Sequence, residues 1–378
     1  MRVGYGTTNL ARGLAGSGVD GIGIYTRELG RALLDVGDVG LVPVGFGHNI
    51  NTDVFPQAQR PVSMGRYPAL AGLGVSTPFA FRGESALANQ IDLFHATDNL
   101  IPKLSRIPVV ATLADAFPLS HPEWIRMKNA HLKCWLWKRA ARWADHIVTV
   151  SEYSKGQIVE YFGIAARRIT VIPEGVGERF FQLIASADRK TVLSRYGLPE
   201  QFFLSIGTLQ PRKNIGNLLD AHAALPAAVR TEFPLVVVGR EGWGSETLVR
   251  RLQASQAVGT VYWLQYLPDE DLRALMQSAS AMIFPSLGEG FGLPVLEAFA
   301  SRLPVVTSDT TSLPEVAGQA AVLVDPRDPH SIADGMRRIV DDSALANRLI
   351  TAGLARARLF TWQACAIRTQ AVYRSVLT

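Results

Sequence analysis

From residue 281 to residue 309 the chain reads "AMIFPSLGEGFGLPVLEAFASRLPVVTSD". "AMIFPS" and "LPVVTSD" are short apolar runs of strand length, and "LPVLEAFAS" between them reads as a helix. Strand, glycine turn, helix, strand is the order of a βαβ unit, in which a crossover helix joins two parallel strands. Pro294 suits the first helical turn, where its missing N–H costs nothing and its φ is preset. Gly288, Gly290 and Gly292 let the backbone of the turn approach a ligand closely. Unpaired N–H groups at the helix start, with the positive end of the dipole, favour an anion. Two carboxylates, Glu289 in the turn and Glu297 in the helix, stand against that expectation.

The same alternation continues in both directions. "MRVGYG", "LVPVGF", "DLFHA", "IPVVATL", "HIVTVS" and "ITVIPEG" form one set of short apolar runs. "FFLSIGT", "FPLVVVG", "TVYWLQY", "AMIFPS", "LPVVTSD" and "AVLVDP" form a second. Runs of this kind, each followed by a helix-length segment, are parallel strands buried on both faces. Two sets predict two doubly wound α/β domains, as the length of 378 residues also favours. The expected boundaries are residues 1–180, 181–360 and a terminal helix over 361–378, with a hinge around 175 to 198. Open sheets of this type bind ligands beyond the carboxyl ends of their strands, so a central cleft between two facing sheets is expected.

Composition narrows the class. Hydrophobic residues at 48% and charged residues at 19% exclude a disordered chain. Cys134 and Cys365 form no metal-spaced pair and favour a reducing compartment. The first residues lack the apolar core of a signal peptide, and no run reaches the ~18 apolar residues of a membrane span. The expected location is the cytoplasm, either free or at the inner face of the membrane. A net charge of +5 suits anionic substrates, nucleic acid or an anionic bilayer and selects none of them.

A ligand that is a polyol carrying phosphate reconciles the two glutamates with the anion site. A carboxylate accepts two hydrogen bonds from vicinal hydroxyls. Glu289 would hold one sugar and Glu297 a second, with phosphates between them over the amides. A nucleotide-sugar has that layout: hexose, diphosphate, ribose. The plain alternative is a capped helix with one exposed and one buried acid. Three glycines after a strand in an α/β domain weigh against it.

With these residues in place, the segment resembles the E-x7-E motif of retaining GT-B glycosyltransferases of family 4 (group 1). "FLSIGTLQPRKNIGNLLDAH", "GIGIYTRELGRAL", "IVTVSEYSKGQIVEYFGIAARRITVIPEGV" and "TSDTTSLPEVAGQAAVLVDPRDPHSIADGM" are similar to other segments of the same family. The resemblance covers most of the chain. It implies an N-terminal acceptor-binding domain and a C-terminal domain for the nucleotide-sugar. Arg212 and Lys213 would then grip the diphosphate, where negative charge grows during transfer; a solvated pair on a loop tip is the bland alternative. Many relatives carry arginine where Thr208 stands, so the basic pair is arranged differently here. Amides of Gly290, Phe291, Gly292 and Leu293 would assist, and Gly21, Ile22 and Gly23 would line the site, although such a glycine loop is equally a tight turn.

One departure falls in "VVATLADAFPLSHPEW". Relatives place a histidine near the acceptor where Ala114 stands, and alanine moves no proton. In retaining transfer of this type the leaving phosphate is thought to take the acceptor's proton on the same face. Asp115 either positions an acceptor hydroxyl or caps the next turn. His95 and His121 read as packed or surface residues, and Asp269 and Asp271 as a helix start rather than a metal site. No catalytic metal and no cofactor beyond the donor is expected.

"PEWIRMKNAHLKCWLWKRAARWADHIV" carries four of the seven tryptophans and six basic residues. On a helix, Leu132, Leu136 and Trp143 fall on one side, read as the core side, and Lys128, Lys138, Arg139 and Arg142 gather with Trp135 on another. That face is either a contact with an anionic membrane or a partly buried helix whose arginine stems cover a tryptophan. No nucleic-acid motif accompanies the charge.

"GTLQPRKN" resembles the branch of the family that includes many GDP-mannose-using enzymes, and that resemblance implies retaining transfer of a hexose, mannose from GDP-mannose, to a glycan or polyprenyl-diphosphate-linked oligosaccharide in cell-surface polysaccharide synthesis. The catalytic set is Glu289, Arg212, Lys213 and Asp115. The alternatives are a UDP-, ADP- or TDP-sugar donor, a sugar-nucleotide epimerase or hydrolase, and a non-catalytic sugar-nucleotide binder.

Overall fold

The computed structural model describes residues 1–16, 18–47, 55, 57–76, 81, 84–124, 126 and 128–378. The chain forms two compact units, Met1–Gly175 with Thr361–Thr378, and Val176–Phe360.

In the first unit the strands are β1 (Arg2–Gly6), β2 (Gly40–Phe46), β3 (Val62–Met64), β4 (Leu93–Ala96), β5 (Val109–Thr112), β6 (His146–Thr149) and β7 (Ile169–Val171). They pair in the order β3-β2-β1-β4-β5-β6-β7, every pair parallel. Central β1 aligns Val3 with Leu41 on one side and with Leu93 on the other. β3, at one edge of the sheet, is the stretch Val62-Ser63-Met64 between Pro61 and Gly65, which extends into no apolar run, and sequence reasoning missed it.

The helix Gly21–Val36 buries Tyr25, Leu29 and Leu33 against this sheet, as their spacing predicts. The last helix, Trp362–Leu377, belongs to the same unit and buries Cys365, Ala366, Val372 and Tyr373 in the same core cluster as Tyr25 and Leu29. Its entry is tight. A Cβ on Gly175 would lie 2.2 Å from the Trp362 amide nitrogen.

A buried polar chain ties that helix to the sheet. His95 Nδ1 lies 2.6 Å from the Tyr373 hydroxyl, and His95 Nε2 lies 2.8 Å from Thr112 Oγ1, which is 2.9 Å from the Tyr25 hydroxyl. Full burial drops the His95 pKa to about 3, so the ring is neutral and its two nitrogens are satisfied inside the core. His121 stacks on Trp124 with centroids 3.9 Å apart. Both histidines are therefore packed residues.

The tryptophan-rich segment folds differently from the expectation. Its helix covers Ala130–Ala140, after Asn129 in a left-handed conformation. Lys128 thus precedes the helix rather than lying on it. Leu132 was expected on the core side with Leu136, yet it is 62% exposed. The helix meets the core through its second half, where Leu136, Trp137 and Ala140 pack, while its first turn stands away. Ile125 and Met127 of the segment lie outside the described residues.

The second unit has β8 (Phe203–Ile206), β9 (Leu235–Val238), β10 (Val261–Leu264), β11 (Ala281–Phe284), β12 (Val305–Ser308) and β13 (Ala321–Val324), all parallel, in the order β10-β9-β8-β11-β12-β13. Every residue of β9, β11 and β12 is buried, because helices cover both faces. Successive strands run outward from β8 in one direction and then from β11 in the other. The strand order therefore reverses between β8 and β11, which is the topological switch point.

Candidate functional site

The loops leaving β8 and β11 meet at that switch point. The first, Gly207–Asn214, contains a single 3-10 turn over Pro211–Lys213. The second, Pro285–Gly292, leads into the helix Leu293–Ala300 with Pro294 in its first turn. Leu287 N donates to Arg212 O at 2.8 Å, and Arg212 Nη1 donates to Gly288 O at 2.5 Å. Asn214, buried and at φ 60, donates through Nδ2 to Pro285 O at 2.9 Å and Pro326 O at 2.6 Å. Sequence reasoning missed this residue. Its signal was an asparagine at a loop-to-helix junction, where a left-handed conformation is tolerated.

Glu289 is buried within this frame. Its Oε2 lies 2.6 Å from Arg212 Nη1 and its Oε1 lies 2.7 Å from Lys213 Nζ. Both cations are largely covered, which excludes the solvated-loop alternative for them. Lys213 also rests over the Phe284 ring, 4.8 Å from its centroid. Burial alone would raise the Glu289 pKa, but Arg212 and then Lys213 outweigh it and hold the group at about 2. Burial lowers the Lys213 pKa, with Glu289 opposing that shift and Arg212 adding to it. At neutral pH the site holds two cations around one carboxylate.

The second loop is braced from the segment that follows β12. Glu289 N donates to Thr311 Oγ1 at 3.2 Å, and Ser312 Oγ donates to Glu289 O at 2.8 Å and Phe291 O at 2.7 Å. Thr311 and Ser312 were also missed as site residues. Gly292 has φ +121, and a Cβ there would lie 2.8 Å from Leu313 Cδ2, so both conformation and space require glycine. Among the described residues, the amides of Phe291, Gly292 and Leu293 donate to no protein acceptor. The Phe291 ring packs edge-on to Phe360.

Glu297 is half-buried in the helix, and its charged neighbours are Arg179 and Asp269. Burial pushes its carboxyl to about 7, with Arg179 pulling down and Asp269 pushing up. Thr208 is exposed on the first loop, where its carbonyl accepts from Gln210 N. Asp269 pairs with Arg179 at 2.8 Å and Asp271 with Arg195 at 2.9 Å, both at a helix start. Among the described residues no three His, Cys, Asp or Glu side chains are grouped to hold a metal ion.

The remaining sequence-predicted residues belong to the first unit. Gly21, Ile22 and Gly23 form the first turn of their helix rather than a loop. Asp20 caps it, accepting from Gly23 N at 2.8 Å, so that amide is taken. Asp115 accepts from Phe117 N at 3.0 Å and caps the following turn. The switch point of this sheet lies between β1 and β4, where Thr97 Oγ1 donates to Gly6 O at 2.7 Å and buried Asp98 accepts from Leu100 N at 2.7 Å.

Two clustered cations, a carboxylate and open helix-start amides at a sheet's switch point make an arrangement suited to a phosphorylated polyol. Residues 194–356 match the glycosyl transferases group 1 family, and residues 6–179 match glycosyltransferase family 4. The chain is 37% identical over 232 residues to O-antigen chain mannosyltransferase B of Escherichia coli, covering 61% of this chain and 61% of that protein. The chain thus spans about three fifths of that relative's length. It is 32% identical over 300 residues to a glycogen synthase of Mycobacterium tuberculosis, covering 75% of this chain and 68% of that one. Its fold is similar to that of the sucrose-phosphate synthase of Thermosynechococcus elongatus, with a TM-score of 0.76 at 20% identity over 99% and 98% of the two chains. The protein belongs to the group 1, family 4 glycosyltransferases, and its two doubly wound units are those of the GT-B fold.

Proposed function

We propose that the protein transfers a mannosyl residue from GDP-mannose, with retention of configuration, to a glycan or polyprenyl-diphosphate-linked oligosaccharide in cell-surface polysaccharide synthesis. The observation that carries the reading is the Arg212–Glu289–Lys213 cluster at the switch point of the second sheet. The diphosphate of the donor would take over the two cations and the helix-start amides. Glu289, released from them, would accept hydrogen bonds from hexose hydroxyls, and Glu297 from the ribose. Negative charge on the leaving phosphate would then develop beside Arg212 and Lys213, in a site where charge interactions are screened little. With Ala114 in place of a histidine, the leaving phosphate oxygen is the group left to receive the acceptor's proton.

The choice of mannose rests on the similarity to the O-antigen mannosyltransferase. The similarity to a glycogen synthase, over a longer stretch, favours a glucosyl donor as the second reading. The test is transfer from a panel of GDP-, UDP-, ADP- and TDP-hexoses to a lipid-linked oligosaccharide pool, with the product's anomeric configuration read by NMR. Mannosyl product of retained configuration from GDP-mannose alone is the expected result. Transfer from another donor, or an inverted product, overturns the corresponding half of the reading.

A further inference from the structure

The helix Ala130–Ala140 shows a face that the sugar-transfer reading does not use. Leu132, Trp135 and Arg139 follow one another at helical spacing on its outer side. Leu132 is 62% and Trp135 46% exposed, the two large apolar side chains of this helix that face solvent. Arg139 lies over the Trp135 ring, 5.6 Å from its centroid, a contact that steadies the indole in its outward position. Lys133 and Arg142 are exposed as well, and Lys138 is half-exposed. Between Glu123 and Asp145 the sequence holds six cations and no acid.

We propose that this face docks on an anionic lipid bilayer, with Leu132 and Trp135 entering the headgroup boundary and the surrounding cations meeting lipid phosphates. A protruding leucine and tryptophan give insertion depth, and an indole is at home where apolar and polar layers meet. Exposed Lys133, Arg139 and Arg142 of the same segment are complementary to an anionic surface and add a salt-sensitive attraction. A second copy of the chain is a poor occupant, because a two-fold contact through this face sets cation against cation. The inference does not depend on which sugar is transferred.

The test is co-sedimentation of the 378-residue protein with vesicles of phosphatidylcholine alone and of phosphatidylcholine with phosphatidylglycerol in equal parts. Binding to the anionic vesicles only, falling steeply with added salt, is the expected result. K133Q/R139Q should weaken it by about fivefold per cation removed. L132S/W135S should weaken it at least as much, and thermal unfolding should be unchanged in both variants because the altered side chains face solvent. Wild-type protein left in the supernatant with both vesicle types overturns the proposal. So do variants that bind as tightly as wild type, and so does a dimer in sedimentation velocity that L132S/W135S dissolves without any vesicle binding.

Discussion

Glu289 Oε2 stands 2.6 Å from Arg212 Nη1, and the other carboxylate oxygen stands 2.7 Å from Lys213 Nζ. Glu289 thus meets at the switch point two cations that lie 77 and 76 positions before it in sequence. Glu289 and a bound diphosphate would compete for the same two cations.

Glu289→Gln separates these roles. The amide keeps the shape of the side chain and removes its charge. Affinity for a nucleoside diphosphate without sugar should rise, because Arg212 and Lys213 lose their internal counter-ion. Turnover with the sugar donor should fall by at least about tenfold, the loss of one good transition-state contact. Titration calorimetry and a transfer assay on the same preparation check both. Weaker nucleotide binding by the variant would show that Glu289 does not compete with phosphate. Stability should also respond: the carboxyl's folded pKa of about 2 lies below its ordinary 4.5, so its contribution is present above pH 4.5 and lost as pH falls toward 2.

Glu297 gives the opposite sign. Its folded pKa of about 7 lies above the ordinary 4.5, so the native state holds the proton more tightly than the unfolded chain. Stability should decline as pH rises from 4.5 through 7 and level off beyond. His95, neutral when folded, opposes this trend below its ordinary 6.5, since the unfolded chain then takes the proton. The difference between wild type and Glu297→Gln therefore isolates the effect. Melting temperatures across this range should show the variant gaining relative to wild type as pH rises.

Tyr373→Phe removes the hydroxyl 2.6 Å from His95 Nδ1 and leaves that nitrogen buried without its partner. A loss of about 1–3 kcal/mol is expected. Urea unfolding would measure it, and hydrogen exchange should report faster opening of Trp362–Leu377.

Gly292→Ala places a methyl 2.8 Å from Leu313 Cδ2 on a backbone at φ +121. The strain should cost about 1–3 kcal/mol. Because Gly292 begins the helix that follows Glu289, turnover should fall further than stability does. Circular-dichroism melts and a transfer assay separate the two. Unchanged turnover would mean that the loop tolerates a different path.

Much of the architecture was legible because parallel strands covered on both faces are continuous apolar runs. Among the described residues twelve of the thirteen strands announce themselves in this way, and β3 escapes because Val62-Ser63-Met64, between Pro61 and Gly65, extends into no apolar run. The glycine turn and Pro294 were legible for a similar reason: a tight turn opening a helix restricts residue type locally, as Gly292 at φ +121 does. Arg212 and Lys213 could be named as cations on a loop. Their burial against Glu289 could not, since that follows from which strands are neighbours.

The chain's sequence by itself determined the periodicity of each element, the residues able to occupy its turns, and the charge each loop carries. Tertiary structure decided what those charges meet. The reversal of strand order between β8 and β11 brings Arg212 and Lys213 to Glu289, and the docking of Trp362–Leu377 brings Tyr373 to His95. It also decided that Leu132 faces outward, because the core accepts only the second half of that helix. Periodicity and turn chemistry act between residues a few positions apart, whereas ion pairs and burial depend on chain segments that become neighbours only when the sheet is assembled.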